Sequence, residues 1–204
     1  IKKILDIAKQ YDAAVNLDTY MYPASRERNK PFDEQSRMNP KDAAMAKVLI
    51  YKYQMGDIAF EEYRRAIINT IEQYIPENYG YERHISCLAG NCSFTINWQG
   101  MIRPCVMQSM PQVNVFDKGF LQGWETISNE TKKILINEAC VSCRYRPICN
   151  TCAAAALLET GNYDGIPEYI CEYTKEFYRI MKEGARICLS LIHISEPTRH
   201  SLIS

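Results

Sequence analysis

No cysteine occurs before Cys87, so any thiol chemistry in this 204-residue chain begins well past its first third. Neither charge sign is in excess, with 24 basic residues against 24 acidic ones, and no basic stripe stands out. Nucleic acid and anionic membrane surfaces are therefore poor partners on electrostatic grounds. No apolar run approaches the roughly 20 residues of a membrane-spanning helix. The chain starts at Ile1, with no initiator Met and no charged-then-apolar signal segment. That start reads as the beginning of a fragment. Apolar residues make up 47% of the chain, which is enough for a packed core and excludes wholesale disorder.

What is present is cysteine, nine in all, with eight between Cys87 and Cys171. An odd total, tight C-x2-C pairs and the missing secretory signal favour metal binding over a disulfide framework. The first 78 residues have a different character. Ile1, Ile4, Leu5, Ala8 and Tyr11 form a helical stripe, and Val15 to Tyr22 alternate like a strand stopped by Pro23. A polar loop from Ser25 to Met38 suits either an active-site segment or a surface crossing. Asn39-Pro40 reads as an N-cap followed by the first helical residue, with a helix through Met55 ended by Gly56. Asp57 opens another helix to about Tyr74. This pattern resembles the end of a larger α/β domain.

Beyond Cys87 short strands and turns take over. Ser93 to Trp98 and Met101 to Cys105 read as a hairpin with Gln99-Gly100 as its two-residue turn. That turn pairs Trp98 with Met101 and Phe94 with Cys105. It sets Cys92 diagonally from Cys105, with Phe94, Ile96 and Trp98 as an apolar wall on the same face. Helices are expected over Trp124 to Ala139, with a break near Ser128-Asn129, over Ala153 to Glu159 ended by Gly161, and from Pro167 to about Met181. Gly184 is the expected stop of the last one.

Four thiols fall within Cys140–Cys152, spaced C-x2-C-x5-C-x2-C. A [4Fe–4S] cluster is commonly held by four thiolates, one for each iron. Cys87, Cys92, Cys105, Cys140, Cys143, Cys149, Cys152 and Cys171 would complete two such clusters, with Cys188 left over. The same C-x2-C pairs also suit tetrahedral zinc, so a non-enzymatic zinc-binding or ferredoxin-like module is the alternative.

Gly100-Met-Ile-Arg-Pro-Cys105, the Cys140/Cys143/Cys149 block and the final Cys171 resemble the SPASM domain. This is the auxiliary-cluster module at the C-terminus of many radical S-adenosylmethionine enzymes. The resemblance spans about residues 80–183 and departs from the family at Cys152, which is separated from Cys149 by two residues where three are common. It implies an interleaved ligand set. Cys87, Cys92, Cys105 and Cys152 would hold one cluster, and Cys140, Cys143, Cys149 and Cys171 the other. The implied fold is α/β, the end of a truncated radical-enzyme barrel over 1–78. A small cysteine-rich α+β module with a β-hairpin and short helices follows over 79–185.

By the same analogy Asn16 to Pro23 would be a late barrel strand, and Asp18 and Tyr20 pocket residues or simple strand-end structure. The CxxxCxxC loop that binds S-adenosylmethionine in that family is absent. S-adenosylmethionine and a third [4Fe–4S] cluster are thus expected in a missing N-terminal part, and this segment alone should be inactive. The resemblance further implies a cytoplasmic peptide or protein maturase supplied with electrons by a donor such as flavodoxin or ferredoxin. Sulfatase-maturing members carry an acidic residue directly after the cysteine matching Cys105. Val106 stands there, which argues against that substrate class. Residues 186–204 read as a non-native or disordered tail, because Leu191 to Arg199 resembles a translated sequencing-library adaptor. Cys188, His193 and His200 therefore carry no functional weight, and His84 reads as a loop residue.

Overall fold

The computed structural model describes residues 2–19, 37–78, 82–85 and 87–183. Tyr20, most of the polar loop from Ser25, Gly184 and the tail with Cys188, His193 and His200 lie outside the described residues. Helix α1 (Lys2–Gln10) buries Leu5 and Ala8, two positions of the stripe read from the sequence. Residues 13–19 then run without regular structure. Their carbonyls are satisfied by side chains of the next helix, with Gln54 Nε2 donating to Val15 O at 3.1 Å and Lys47 Nζ to Leu17 O at 3.1 Å. The strand expected over 15–22 is not formed in its described part. Among the described residues no strand precedes Thr95, so a strand here would have no ladder partner, and long side chains take that role.

Helix α2 (Pro40–Glu72) begins where the sequence places it. Asn39 accepts from the Asp42 N–H, and Pro40 fills a first-turn position that needs no donor. Gly56 interrupts it with φ 77° and ψ 169°, a region open almost only to glycine, so two helical segments meet at a kink. The far end of the chain returns against it as α7 (Glu168–Glu183). Ala44, Val48 and Phe60 of α2 pack on Phe177, Ile180 and Met181 of α7. Tyr51 meets Tyr63 and Phe177 edge-on, at ring-centre distances of 5.3 and 6.3 Å. Arg64 of α2 donates to the Met181 carbonyl at 2.8 Å, satisfying an acceptor that the end of α7 leaves open.

Between these helices in the chain comes a small antiparallel sheet in the order β1 (Thr95–Ile96), β2 (Met101–Arg103), β3 (Val113–Asn114). Its register differs from the expected one. Thr95 pairs with Arg103 and Ile96 with Ile102, one residue out from the two-residue turn. Asn97 is the cause. Its side-chain oxygen accepts the N–H groups of Gln99 and Met101, at 3.0 and 2.9 Å, and closes a three-residue loop with Gly100 at φ 77°. A one-residue slip reverses every facing relationship. Cys92 is therefore not diagonal to Cys105, and it lies in a turn rather than on a strand. The expected apolar wall also dissolves: Phe94 packs on Phe120 and Trp124, at 5.3 and 5.6 Å, while Trp98 is 90% exposed at the loop tip.

Helices α3 (Val115–Lys118) and α4 (Phe120–Thr131) follow β3. The helix expected over 124–139 thus starts earlier and ends at Thr131. Gly123 lets α4 lie close over the sheet, since a β-carbon there would stand 3.3 Å from the Ile102 side chain. Helices α5 (Glu138–Val141) and α6 (Ala153–Thr160) complete the set, and Gly161 at φ 79° ends α6 as the sequence indicates. The result is a mixed, mainly helical fold with one three-stranded antiparallel sheet. None of the described helices is long and apolar enough to cross a membrane.

The α2–α7 seam sets the stability of this arrangement. Met181→Ala, at 1% exposure, should cost about 2–5 kcal/mol in chemical denaturation. Ile58→Ala, on the same pair of helices but 82% exposed, should stay within about 0.5 kcal/mol of the parent.

Candidate metal centre

The eight described cysteines are all free thiols. Four of them collect around the start of α7. Asn137 caps α5 by accepting from the Ala139 N–H at 2.9 Å, and its own carbonyl accepts the Cys140 N–H at 3.0 Å. Cys143 follows at the end of that short helix. Its carbonyl accepts from Arg146 N at 2.9 Å, and Arg146 O in turn accepts from Cys149 N at 3.3 Å. One 3₁₀ turn, Arg146–Ile148, with Pro147 inside it, thus separates the two thiols. Cys171 sits in the first turn of α7, its N–H on the Pro167 carbonyl at 3.1 Å.

A hydroxyl contact ties the loop to the helix. Thr174 Oγ1 donates to Cys149 Sγ at 3.6 Å, and Thr174 lies three residues beyond Cys171 on the same helical face. Electrostatics give the same grouping. Burial pushes the Cys171 thiol up to about 11, and Cys149, Cys140 and Cys143 add to the shift while Lys175 opposes it. Burial also raises Cys140, reinforced by Cys149 and Cys143 and countered by the guanidinium of Arg146. Arg146 is itself buried, at 7% exposure, which places a permanent positive charge beside these thiols.

A second group forms around Cys152, the residue that precedes α6. Burial raises its thiol first, the N–H groups of Ala155 and Ala154 oppose that rise, and the thiols of Cys105 and Cys87 add to it. The N–H groups favour a thiolate at the helix start without an ordinary capping hydrogen bond to the sulfur. Cys105 follows β2 in a bend, near enough to Tyr163 to raise its phenol alongside burial. Cys87 and Cys92 bracket one tight turn, in which the Leu88 carbonyl accepts the N–H groups of Asn91, Cys92 and Ser93 at 3.0, 3.1 and 3.0 Å. Cys92 is exposed at the far end of that turn. Gly90 makes the turn possible: its φ is +67°, and a β-carbon there would come within 2.4 Å of the Thr131 hydroxyl.

Among the described residues, no three His, Cys, Asp or Glu side chains close on a point that could hold a single metal ion. His84 stays out of both groups. It forms an isolated bridge with Leu135 and lies 3.6 Å from Glu82, which fits the loop role read from the sequence.

Asp18 lines a cavity of about 360 Å³ together with Lys47, Tyr51, Tyr63, Tyr173 and Thr174. Lys47 holds Asp18 at 3.8 Å. Burial pushes the phenols of Tyr63 and Tyr173 up to about 12, so both are neutral at pH 7. The cavity therefore shares a wall, Thr174, with the thiol group around the start of α7. Sequence reasoning missed Thr151, Thr174 and Arg146. Only Thr174 carried a usable signal, its helical spacing from Cys171. Protein-family models, curated proteins and solved structures yield no match to this chain.

These thiols fix a pH dependence for the metal-free protein. At pH 8 iodoacetamide should label exposed Cys87 well before Cys171 and Cys152, read by peptide mass spectrometry. The folded chain keeps the Cys171 proton to about pH 11, against 9.0 for a free thiol. Its contribution is therefore complete below about pH 9 and is lost as pH rises through about 11, visible as a falling Tm across that window.

Proposed function

We propose that this chain is the C-terminal part of a radical S-adenosylmethionine enzyme of the SPASM class. Cys87, Cys92, Cys105 and Cys152 hold one auxiliary [4Fe–4S] cluster, and Cys140, Cys143, Cys149 and Cys171 hold the other. One observation carries the reading. The thiols interact in two sets, Cys152 with Cys105 and Cys87, and Cys171 with Cys149, Cys140 and Cys143. The family resemblance divides these seven the same way and adds Cys92 to the first set; the division runs against chain order, since Cys152 leaves its neighbours to join the hairpin side.

The donor set fits such groups. Zinc needs four sulfurs each about 2.3 Å from one centre, whereas a four-iron cluster takes one thiolate at each of four separated irons. Eight free thiols supply four for each of two such clusters. When bound, these clusters supply one-electron transfer or an anchoring iron for substrate.

The chain's own residues favour the anionic ligands. Cys171 stands in the first turn of α7, where the helix dipole favours negative charge. Buried Arg146 balances charge at Cys140, and the Ala154 and Ala155 N–H groups do the same at Cys152.

In this reading α1, residues 13–19 and α2 are the end of the catalytic barrel. The site that cleaves S-adenosylmethionine belongs to a part of the intact enzyme outside this chain. The substrate class is a peptide or protein, the electron donor a flavodoxin or ferredoxin, and the compartment the cytoplasm, where free thiols persist.

Anaerobic reconstitution followed by iron, sulfide and zinc analysis tests this. About eight iron and eight sulfide per chain are expected, and stoichiometric zinc without iron would sink the reading. Cys152→Ala and Cys171→Ala should each lose about half the iron, and the double variant nearly all of it. Retention of full iron by both single variants would overturn the ligand assignment.

A further inference from the structure

Cys149 is set apart by two hydroxyls. Thr151 Oγ1 lies 3.2 Å from its sulfur, and Thr174 Oγ1 donates to it at 3.6 Å. The orientation of Thr174 is informative. Helical threonines commonly turn the hydroxyl back to the carbonyl four residues earlier. Thr70, Thr126, Thr131 and Thr160 all do so, onto Ala66, Gln122, Ile127 and Ala156 at 2.7–2.8 Å. Thr174 sits in the same kind of helix, at 4% exposure, and its hydroxyl is aimed at a sulfur from another segment.

We infer that Thr174, assisted by Thr151, is a positioning residue for the second cluster, fixing Cys149 and raising that cluster's reduction potential. The inference rests on the cluster reading above. Reduction adds one negative charge to a cluster, and part of that charge spreads onto the ligating sulfurs. A hydroxyl donor on such a sulfur stabilises the reduced form more than the oxidised form. Two donors on one thiolate also restrict its rotamer, so Cys149 presents its sulfur in a fixed direction. Thr174 reaches Cys149 from the helix that carries Cys171, so one element supplies both a ligand and the group that orients another ligand.

The test is a redox titration of the whole chain after anaerobic reconstitution, followed by electron paramagnetic resonance, with Thr174→Val, Thr174→Ser and Thr151→Val beside the parent. Thr174→Val should keep its iron and move one of the two reduction waves to more negative potential. The expected shift is about a three- to tenfold loss in the reduction equilibrium, where tenfold is about 59 mV for one electron. Thr174→Ser should restore the parent wave, which a merely space-filling role would not require. Two unmoved waves in a fully loaded Thr174→Val protein would overturn the inference and leave the cluster assignment intact. A parent chain that takes up no iron would overturn both. If Thr174→Val does not fold, Thr151→Val decides by the same shift, with an unmoved wave counting against the proposal.

Discussion

The seam between α2 and α7 is the constraint on which the remaining structure depends. Phe60, Val48 and Ala44 hold Phe177, Ile180 and Met181 in place. The opposite end of α7 then presents Cys171 and Thr174 to the turn that carries Cys149. With only seven strand residues in the sheet, the cysteine turns have little ladder to lean on. Their positions derive from helix packing, short caps such as Asn137, and single tight turns such as 87–93. A core of apolar side chains thus fixes groups that, left to themselves, would separate.

Those groups do repel separation from water. Burial raises the thiols of Cys140 and Cys171, and the sulfurs beside them raise both further. Metal-free, the chain holds protons on Cys140 and Cys171 at neutral pH. A set of thiolates this close becomes favourable only when positive charge joins it, and Arg146 and the first turn of α7 supply part of that charge.

Helix ends were the most legible part of the sequence. Asn39-Pro40, Gly56 and Gly161 act through backbone conformation and local hydrogen bonds, and they do what their residue types indicate. The hairpin was less legible. Asn97 accepts two N–H groups and lengthens the loop by one residue, and a single side-chain hydrogen-bonding choice of this kind is invisible in an alternating pattern. The segment 13–19 alternates as a strand would, yet α2 side chains satisfy its carbonyls. The division of the thiols came from family likeness more than from spacing. The electrostatic coupling of Cys152 to Cys105 and Cys87 runs against the nearest-neighbour reading of C-x2-C. The hydroxyls on Cys149 depend on a contact between distant segments, which no local pattern encodes.

The turn at Gly90 limits how this sequence can drift. Its backbone sits where side chains are strained, and the space a β-carbon would need is filled by Thr131 at the end of α4. Shrinking Thr131 would relieve the collision but not the strain, so no exchange at one position rescues the other. A single methyl group at the centre of the loop bearing Cys87 and Cys92 is thereby excluded twice over, by the backbone and by a helix end some forty positions later.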